Sequence, residues 1–163
     1  MTRPDLDVAN RAFMDGLVGY RSETGIDGYL GIEVLEFEAG RLVAEFEVAD
    51  DHVTMVGNIH GGCLAALCDH CLGLVLYPVM APGSWAATTE FKVNYLRPVS
   101  GGRCRATAEI RSMTKRSAVV TIEVENEDRM VALAQGTCTI KLAEEKLLLE
   151  GIVLWHLNLV GLI

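Results

Sequence analysis

The sequence has no excess of basic residues: in 163 residues, 14 Lys and Arg stand against 22 Asp and Glu, which gives a formal net charge of −8. A surface of that sign does not attract the phosphates of DNA or RNA. The first 20 residues also lack the basic-then-apolar order of a secretory signal, because Asp5, Asp7 and Asp15 lie among the apolar residues. We therefore expect a cytoplasmic protein that does not bind nucleic acid.

Several catalytic and metal-binding motifs are absent as well. There is no G-x-S-x-G for a serine hydrolase and no H-E-x-x-H or equivalent cluster for a metallohydrolase. The five cysteines are an odd number, and the C-x-x-C spacing of Cys68 and Cys71 has no second pair that would complete a zinc site. The sequence thus predicts reduced thiols, no metal and no cofactor.

Apolar residues, by contrast, are abundant. They make up 50% of the chain, and the mean hydropathy is slightly positive at +0.28. The length fits one ordinary domain. So high an apolar content in a single domain predicts a buried central element together with an extensive subunit interface.

Periodicity divides most of the chain into helices and strands. It predicts an amphipathic helix over residues 5–20 and a glycine-marked loop over 25–31. Alternating apolar and polar residues predict six strands, over 30–38, 41–48, 85–96, 103–113, 117–126 and 130–142. The last four are joined by turns too short for parallel crossovers, so the sheet must be largely antiparallel.

The stretch over residues 61–77 predicts a long helix with almost no polar face, which a sheet can bury only by curling around it. One sheet cannot cover every side, so we expect a second subunit to help. A lone carboxylate, Asp69, lies in the middle of this helix, where burial without a partner would be costly. Helical spacing places six further residues on the same face as Asp69, namely Gly62, Ala65, Ala66, Leu72, Gly73 and Leu76. Asp69 should therefore look out over a low-relief surface that another chain or a substrate can approach.

The start of this helix is a candidate anion site. It follows residues 58–60, and its first backbone N–H groups have no partner within the helix. The helix dipole favours the negative charge that develops on a carbonyl oxygen under attack, and a glycine permits close approach. The Gly61 N–H is therefore the candidate oxyanion donor.

His60-Gly61-Gly62, with Asp69 nine residues after the histidine, resembles the hotdog thioesterases of the PaaI-like, 4-hydroxybenzoyl-CoA thioesterase group. The likeness covers roughly residues 28–142 and includes the order of elements and a strand end, Tyr95-Leu96-Arg97-Pro98. It implies an α+β hotdog fold, in which an antiparallel sheet of about six strands wraps around a long central helix. It also implies an acyl-CoA thioesterase that works as a homodimer, or as a dimer of dimers, without inserting into a membrane.

The resemblance also assigns roles to the catalytic candidates. Asp69 becomes the general base or the nucleophile, and the Gly61 N–H polarises the carbonyl, while His60 fixes the local geometry. A hydroxyl on the following strand orients the water, and Thr88 matches that position best, with Thr89 as the alternative.

Substrate-binding candidates surround the same helix start. Many relatives have an Asn six residues before the histidine, where this sequence has Thr54, whose shorter side chain can still donate a hydrogen bond. Asn58 and Gly62 flank the His60-Gly61 pair, and Arg97 is a candidate for the CoA phosphates. Further candidates for those phosphates are Arg103, Lys115, Arg116 and Lys141.

Other interpretations compete with these. His60 can be a helix cap only, Thr88 an ordinary strand residue, and Asp69 a buried hydrogen-bonding group between two helices of a dimer. For the whole chain, the alternative is a hotdog protein that binds acyl-CoA without turning it over. The acyl group is left open between aromatic and medium-chain fatty acyl.

The resemblance divides the chain into three parts. These are an N-terminal helix and loop (1–27), a hotdog domain (28–142) and an apolar C-terminal extension (143–163). The extension is too short and too interrupted for a membrane-spanning helix, which needs about 20 apolar residues. We expect the extension either to dock on the hotdog domain or to cover an oligomer interface.

Overall fold

The computed structural model describes residues 8–142, with side chains from residue 11 onward. The helices are α1 (Val8–Leu17), α2 (Gly25–Leu30) and the long α3 (Gly61–Leu74). The strands are β1 (Glu33–Glu38), β2 (Arg41–Glu47), β3 (Trp85–Tyr95), β4 (Arg103–Met113), β5 (Ser117–Asn126) and β6 (Arg129–Lys141). The predicted extension over 143–163 and the first residues of the predicted helix over 5–20 lie outside the described residues.

The six strands form one sheet in the order β1-β2-β4-β5-β6-β3. Every pairing between neighbouring strands is antiparallel, as the short turns between them require. Helix α3 contacts strands β2 to β6, so the sheet curves around it. The predicted hotdog arrangement is confirmed.

Helix α3 is covered on every side but one. Its residues with less than a tenth of their surface exposed are Leu64, Leu67, Cys68, Cys71 and Leu72. On the opposite side Gly62 and Asp69 are exposed, and Ala65, Ala66 and Gly73 are partly exposed. We call these five residues the open face. Leu72 and Leu76, predicted on the same face as Asp69, are fully buried instead, so the open face is narrower than the helical spacing indicated.

The stretch Gly61–Val79 is long and apolar enough, by length and composition, to cross a membrane. In this structure it comprises the core helix α3 and a 3-10 turn, Tyr77–Val79. Its apolar side chains are the ones that the sheet encloses, which accounts for their hydropathy.

The loop predicted over residues 25–31 is wrong, because the chain forms helix α2 there. Leu30 anchors the helix with 3% of its surface exposed, and the Tyr29 hydroxyl donates to the Asp51 carbonyl at 3.1 Å. Gly31 ends the helix in the left-handed conformation. These tertiary contacts outweigh the low helix propensity of the glycines. Helix α2 packs on α3 and walls the region where α3 begins.

Gly136 of β6 marks the closest approach of the helix to the sheet. A Cβ there would lie 2.3 Å from Cδ1 of Leu72, 2.5 Å from Cβ of Phe91 and 2.8 Å from the carbonyl oxygen of Glu90. We expect Gly136→Ala to lower the free energy of unfolding by about 1–3 kcal/mol through overpacking. Gly101→Ala, where an added Cβ meets nothing within 4 Å, is the control. Chemical denaturation checks both, and equal stability of the two variants would contradict the packing argument.

Candidate active site

His60 caps the start of α3. Its backbone is extended, with φ −66° and ψ 130°, and its Nδ1 accepts a hydrogen bond of 2.9 Å from the Gly62 N–H. The His60 N–H donates to the His52 carbonyl at 2.9 Å, and the Ile59 N–H donates to the Val99 carbonyl at 2.7 Å. Together these contacts fix the orientation of the peptide groups that lead into the helix.

The first N–H of α3 belongs to Gly61. Among the described residues it has no hydrogen-bond acceptor, whereas the next two N–H groups, those of Gly62 and Cys63, both donate to His60. An unpaired N–H at the positive end of a helix dipole favours a negatively charged oxygen. One donor is thus left free at the position that the sequence singled out.

The two glycines after His60 make room for side chains from elsewhere. A Cβ at position 61 would lie 3.1 Å from Cζ of Tyr95, and a Cβ at position 62 would lie 2.8 Å from Nδ1 of His60. The Tyr95 hydroxyl also donates to the Gly61 carbonyl at 2.9 Å. Sequence reasoning missed this role of Tyr95, and the only signal for it was its place in the family-like strand end.

The Asp69 carboxylate lies on the open face of α3. It is exposed, and within the described part of the chain it makes no hydrogen bond or ion pair. The desolvation cost expected from the sequence therefore does not arise in a single chain. Its charge adds to burial, the main cause, in raising the pKa of Cys68 to about 12 and that of Cys138 to about 11.

Thr88 and Thr89 lie on opposite faces of β3. Thr88 pairs with Cys138, which is buried on the helix side, and its hydrogen bond opposes the larger effect of burial on the pKa of that thiol. Thr89 is the extra residue of a bulge, and its hydroxyl meets that of Thr139 at 2.7 Å on the outer face. Thr88 therefore shares the helix side with Asp69, and Thr89 does not.

Three of the predicted substrate-binding residues, Thr54, Asn58 and Gly62, lie at or just before the start of α3. The N–H and the hydroxyl of Thr54 both donate to the Asn58 carbonyl, at 2.8 and 2.9 Å. The hydroxyl proton of Thr54 is thus used within the loop, and its oxygen retains acceptor capacity. The N–H of Gly62 is likewise engaged, by His60. Arg97, two residues beyond β3, is exposed and donates to the Met130 carbonyl.

A cleft of about 420 Å³ lies between α2 and the start of α3. It brings together three of the predicted site residues, Thr54, His60 and Gly62, and adds Tyr29 and Cys63. The residues on either side of Gly61 line this cleft, but neither Gly61 nor Asp69 does.

His52 and His70 make structural contacts. His52 is buried and packs edge-on against the rings of Phe46 and Tyr29. Nδ1 of His70 lies 3.1 Å from Oδ1 of Asp27, which ties α3 to α2. This hydrogen bond is the main cause that lowers the pKa of Asp27.

The His, Cys, Asp and Glu side chains of the described residues form neither a metal site nor a pair of reactive thiols in α3. No group of three or more His, Cys, Asp or Glu side chains that could hold a metal ion occurs within residues 8–142. Cys68 and Cys71 are buried free thiols, and burial raises the pKa of both. Both are therefore protonated at neutral pH and act as small apolar side chains.

The sequence and the fold are similar to those of several known proteins. Residues 56–133 match the profile of the thioesterase superfamily. The 1,4-dihydroxy-2-naphthoyl-CoA hydrolase of Listeria monocytogenes is 25% identical over 72% of this chain and 96% of that protein. The acyl-coenzyme A thioesterase PaaI of Escherichia coli is 29% identical over 66% of this chain and 76% of that protein. The structure of a variant of the phenylacetic acid degradation protein PaaI from Thermus thermophilus is 33% identical, covers 68% of this chain and 94% of that chain, and superposes with a TM-score of 0.62.

Proposed function

The chain belongs to the thioesterase superfamily and is a thioester hydrolase, and we propose that it cleaves acyl-CoA into a free acid and CoA at a site shared between two subunits. One observation carries the proposal. Within residues 8–142, the Gly61 N–H at the start of α3 has no acceptor, and the same helix carries an exposed carboxylate, Asp69, on its open face. Acyl-CoA as the substrate is supported by relatives that are named for CoA thioesters.

The Gly61 N–H serves as the oxyanion donor. When the thioester carbonyl is attacked, its oxygen becomes negative and gains more from a fixed donor and a helix dipole than it does in the ground state. That difference lowers the barrier. His60 contributes by holding the peptide group that carries the donor.

Asp69 supplies the second half of the chemistry, and two routes are compatible with its position. As a general base it takes a proton from water while the water oxygen bonds to the carbonyl carbon, and the C–S bond then breaks to release CoA thiolate. As a nucleophile it bonds to that carbon itself, releases CoA thiolate, and the resulting anhydride is hydrolysed by water. Thr88, on the same side of the sheet, orients the water in either route.

Two subunits are needed because of distance. Gly61 and Asp69 are eight residues apart on one helix, which puts them about 12 Å apart along its axis at about 1.5 Å per residue. A thioester carbonyl bound at the Gly61 N–H therefore cannot be attacked by Asp69 of the same helix, or by a water that this Asp69 holds. Two antiparallel copies of α3, packed through the open face, would bring Gly61 of one subunit near Asp69 of its partner. The small residues of the open face support such an approach.

Around this centre, Thr54, Asn58 and Gly62 shape the pocket beside the thioester, and Arg97 meets the CoA phosphates. The domain division at residues 28 and 142 stays a prediction. So does a dimer of dimers.

Thiol release from a panel of acyl-CoA esters tests the function. We expect the purified protein to release CoA from at least one aromatic or medium-chain fatty acyl-CoA, and the faster of the two classes identifies the acyl group. The Asp69→Asn variant, assayed beside it, shows whether release depends on the proposed site. Tight binding of acyl-CoA without release from any ester would instead support the alternative, an acyl-CoA-binding protein.

A further inference from the structure

Tyr95 joins the end of β3 to the first turn of α3. Its hydroxyl donates to the Gly61 carbonyl at 2.9 Å across 34 residues of sequence. Its ring lies so close to the Gly61 backbone that a Cβ at position 61 would sit 3.1 Å from Cζ and 3.3 Å from Cε1. The contact thus combines a directed hydrogen bond with close packing against the residue that carries the free N–H.

Tyr95 is itself held firmly by the sheet. It pairs with Ala132 of β6, and the next N–H along the chain, that of Leu96, donates to the Val131 carbonyl at 2.8 Å. The side chain of Arg97 adds a bond to the Met130 carbonyl. Tyr95 therefore links Gly61 to a strand of the sheet and not to a mobile loop.

The peptide group that carries the Gly61 N–H also carries the His60 carbonyl, which accepts a hydrogen bond from the Cys63 N–H at 2.9 Å. The peptide groups on either side of it are held as well. On the side of His60, the His60 N–H donates to the His52 carbonyl. On the far side, Tyr95 holds the Gly61 carbonyl. The Gly61 N–H itself has no acceptor in the described part of the chain, so its direction is set by the bond to the His60 carbonyl and by the bonds of the two flanking peptide groups, the outer of which is the one that Tyr95 makes.

We propose that Tyr95 is a positioning residue that aims the Gly61 N–H at the thioester oxygen, an inference that rests on the function proposed above. Oxyanion donors act only within a narrow range of distance and direction, so a small rotation of this peptide weakens transition-state binding more than substrate binding. Burial raises the pKa of Tyr95, so the phenol keeps its proton at neutral pH.

The test compares Tyr95→Phe with Tyr77→Phe. The first removes one hydroxyl and keeps the ring, and the second removes the hydroxyl of a partly buried tyrosine in the 3-10 turn after α3, beyond the other end of the helix. For Tyr95→Phe we expect kcat to fall about tenfold with KM changed less than about twofold, the size expected for one hydrogen bond. Tyr77→Phe should leave both constants unchanged. A rise in KM at constant kcat, or no change in either, would overturn the positioning role.

A second readout does not depend on turnover. In ¹⁵N-labelled protein the Gly61 amide should shift, and exchange with solvent at a different rate, in Tyr95→Phe but not in Tyr77→Phe. An unchanged Gly61 amide would refute the inference even if the protein hydrolysed no ester at all. Conversely, a wild-type protein that released no CoA while Gly61 responded to Tyr95→Phe would refute the proposed function and leave the structural coupling standing.

Discussion

Asp69→Asn is expected to lower kcat by about 10²- to 10⁴-fold, the range for loss of a general base, and the loss should be at least as large if Asp69 is the nucleophile. The amide has the same shape as the carboxylate but neither accepts a proton from water nor attacks a carbonyl carbon at a useful rate. Because Asp69 is exposed and unpaired within the described chain, the substitution should leave the fold intact. Thiol release at saturating acyl-CoA measures the effect.

The matched control is Asp15→Asn, which makes the same chemical change on an exposed residue of α1. It should retain full activity. Thermal unfolding of both variants should follow that of the wild type, which excludes loss of fold as the cause. Near-normal turnover by a folded Asp69→Asn protein would remove Asp69 from the mechanism.

Much of the fold could be read from local pattern. Strands β4 and β5 begin and end where alternation predicted. Strands β2 and β3 differ from their predicted bounds by one residue at one end, and β6 by one residue at each end. The physical reason is that short turns and a period of two leave these strands few other registers. Helix α3 was equally visible, because its apolar residues have no explanation other than burial.

The features that the sequence did not predict depend on contacts between residues that are distant in sequence. Helix α2 forms because Leu30 is buried and Tyr29 reaches Asp51, and neither contact shows in a run of glycines. The contact of Tyr95 with Gly61 spans 34 residues and could not be derived from spacing. In the same way, the choice between Thr88 and Thr89 depends on a bulge in β3, which shifts the faces of the strand by one residue.

The sequence singled out the candidate site residues, but it gave only part of the reason why positions 61 and 62 are glycines. The close approach of a ligand was expected at Gly61. The structure adds that the ring of Tyr95 occupies the space where a side chain at position 61 would lie, and that the His60 ring does so at position 62. The His-Gly-Gly sequence thus meets a packing requirement in addition to the catalytic role proposed for it.

Mixing two inactive variants should restore activity if the site is shared. Asp69→Asn retains the donor, and Gly61→Pro retains the carboxylate but has no N–H at position 61. Proline is tolerated at the first position of a helix, and the extended His60, with ψ 130°, suits the residue before a proline. Each homodimer should be inactive. In a mixed dimer one site combines intact Gly61 with intact Asp69, and the other carries both defects.

The effect of the added side-chain atoms must be separated from loss of the N–H, because any Cβ at position 61 crowds the Tyr95 ring. Gly61→Ala supplies that control, since it brings the Cβ and keeps the N–H. We expect it to lose less activity than Gly61→Pro, and the difference between the two variants measures the donor. Differently tagged subunits, recovered together after mixing, establish that exchange has occurred.

Activity in the mixture should approach about half of the wild-type value per mixed dimer, since one of its two sites is complete. A second mixture, of Asp69→Asn with the double variant Asp69→Asn/Gly61→Pro, contains no intact Asp69 and must stay inactive, which excludes activity gained from exchange alone. If the tagged subunits exchange and the first mixture also stays inactive, each site lies within one chain. The 12 Å between Gly61 and Asp69, estimated at about 1.5 Å per residue, would then have to be bridged by another residue of the same chain.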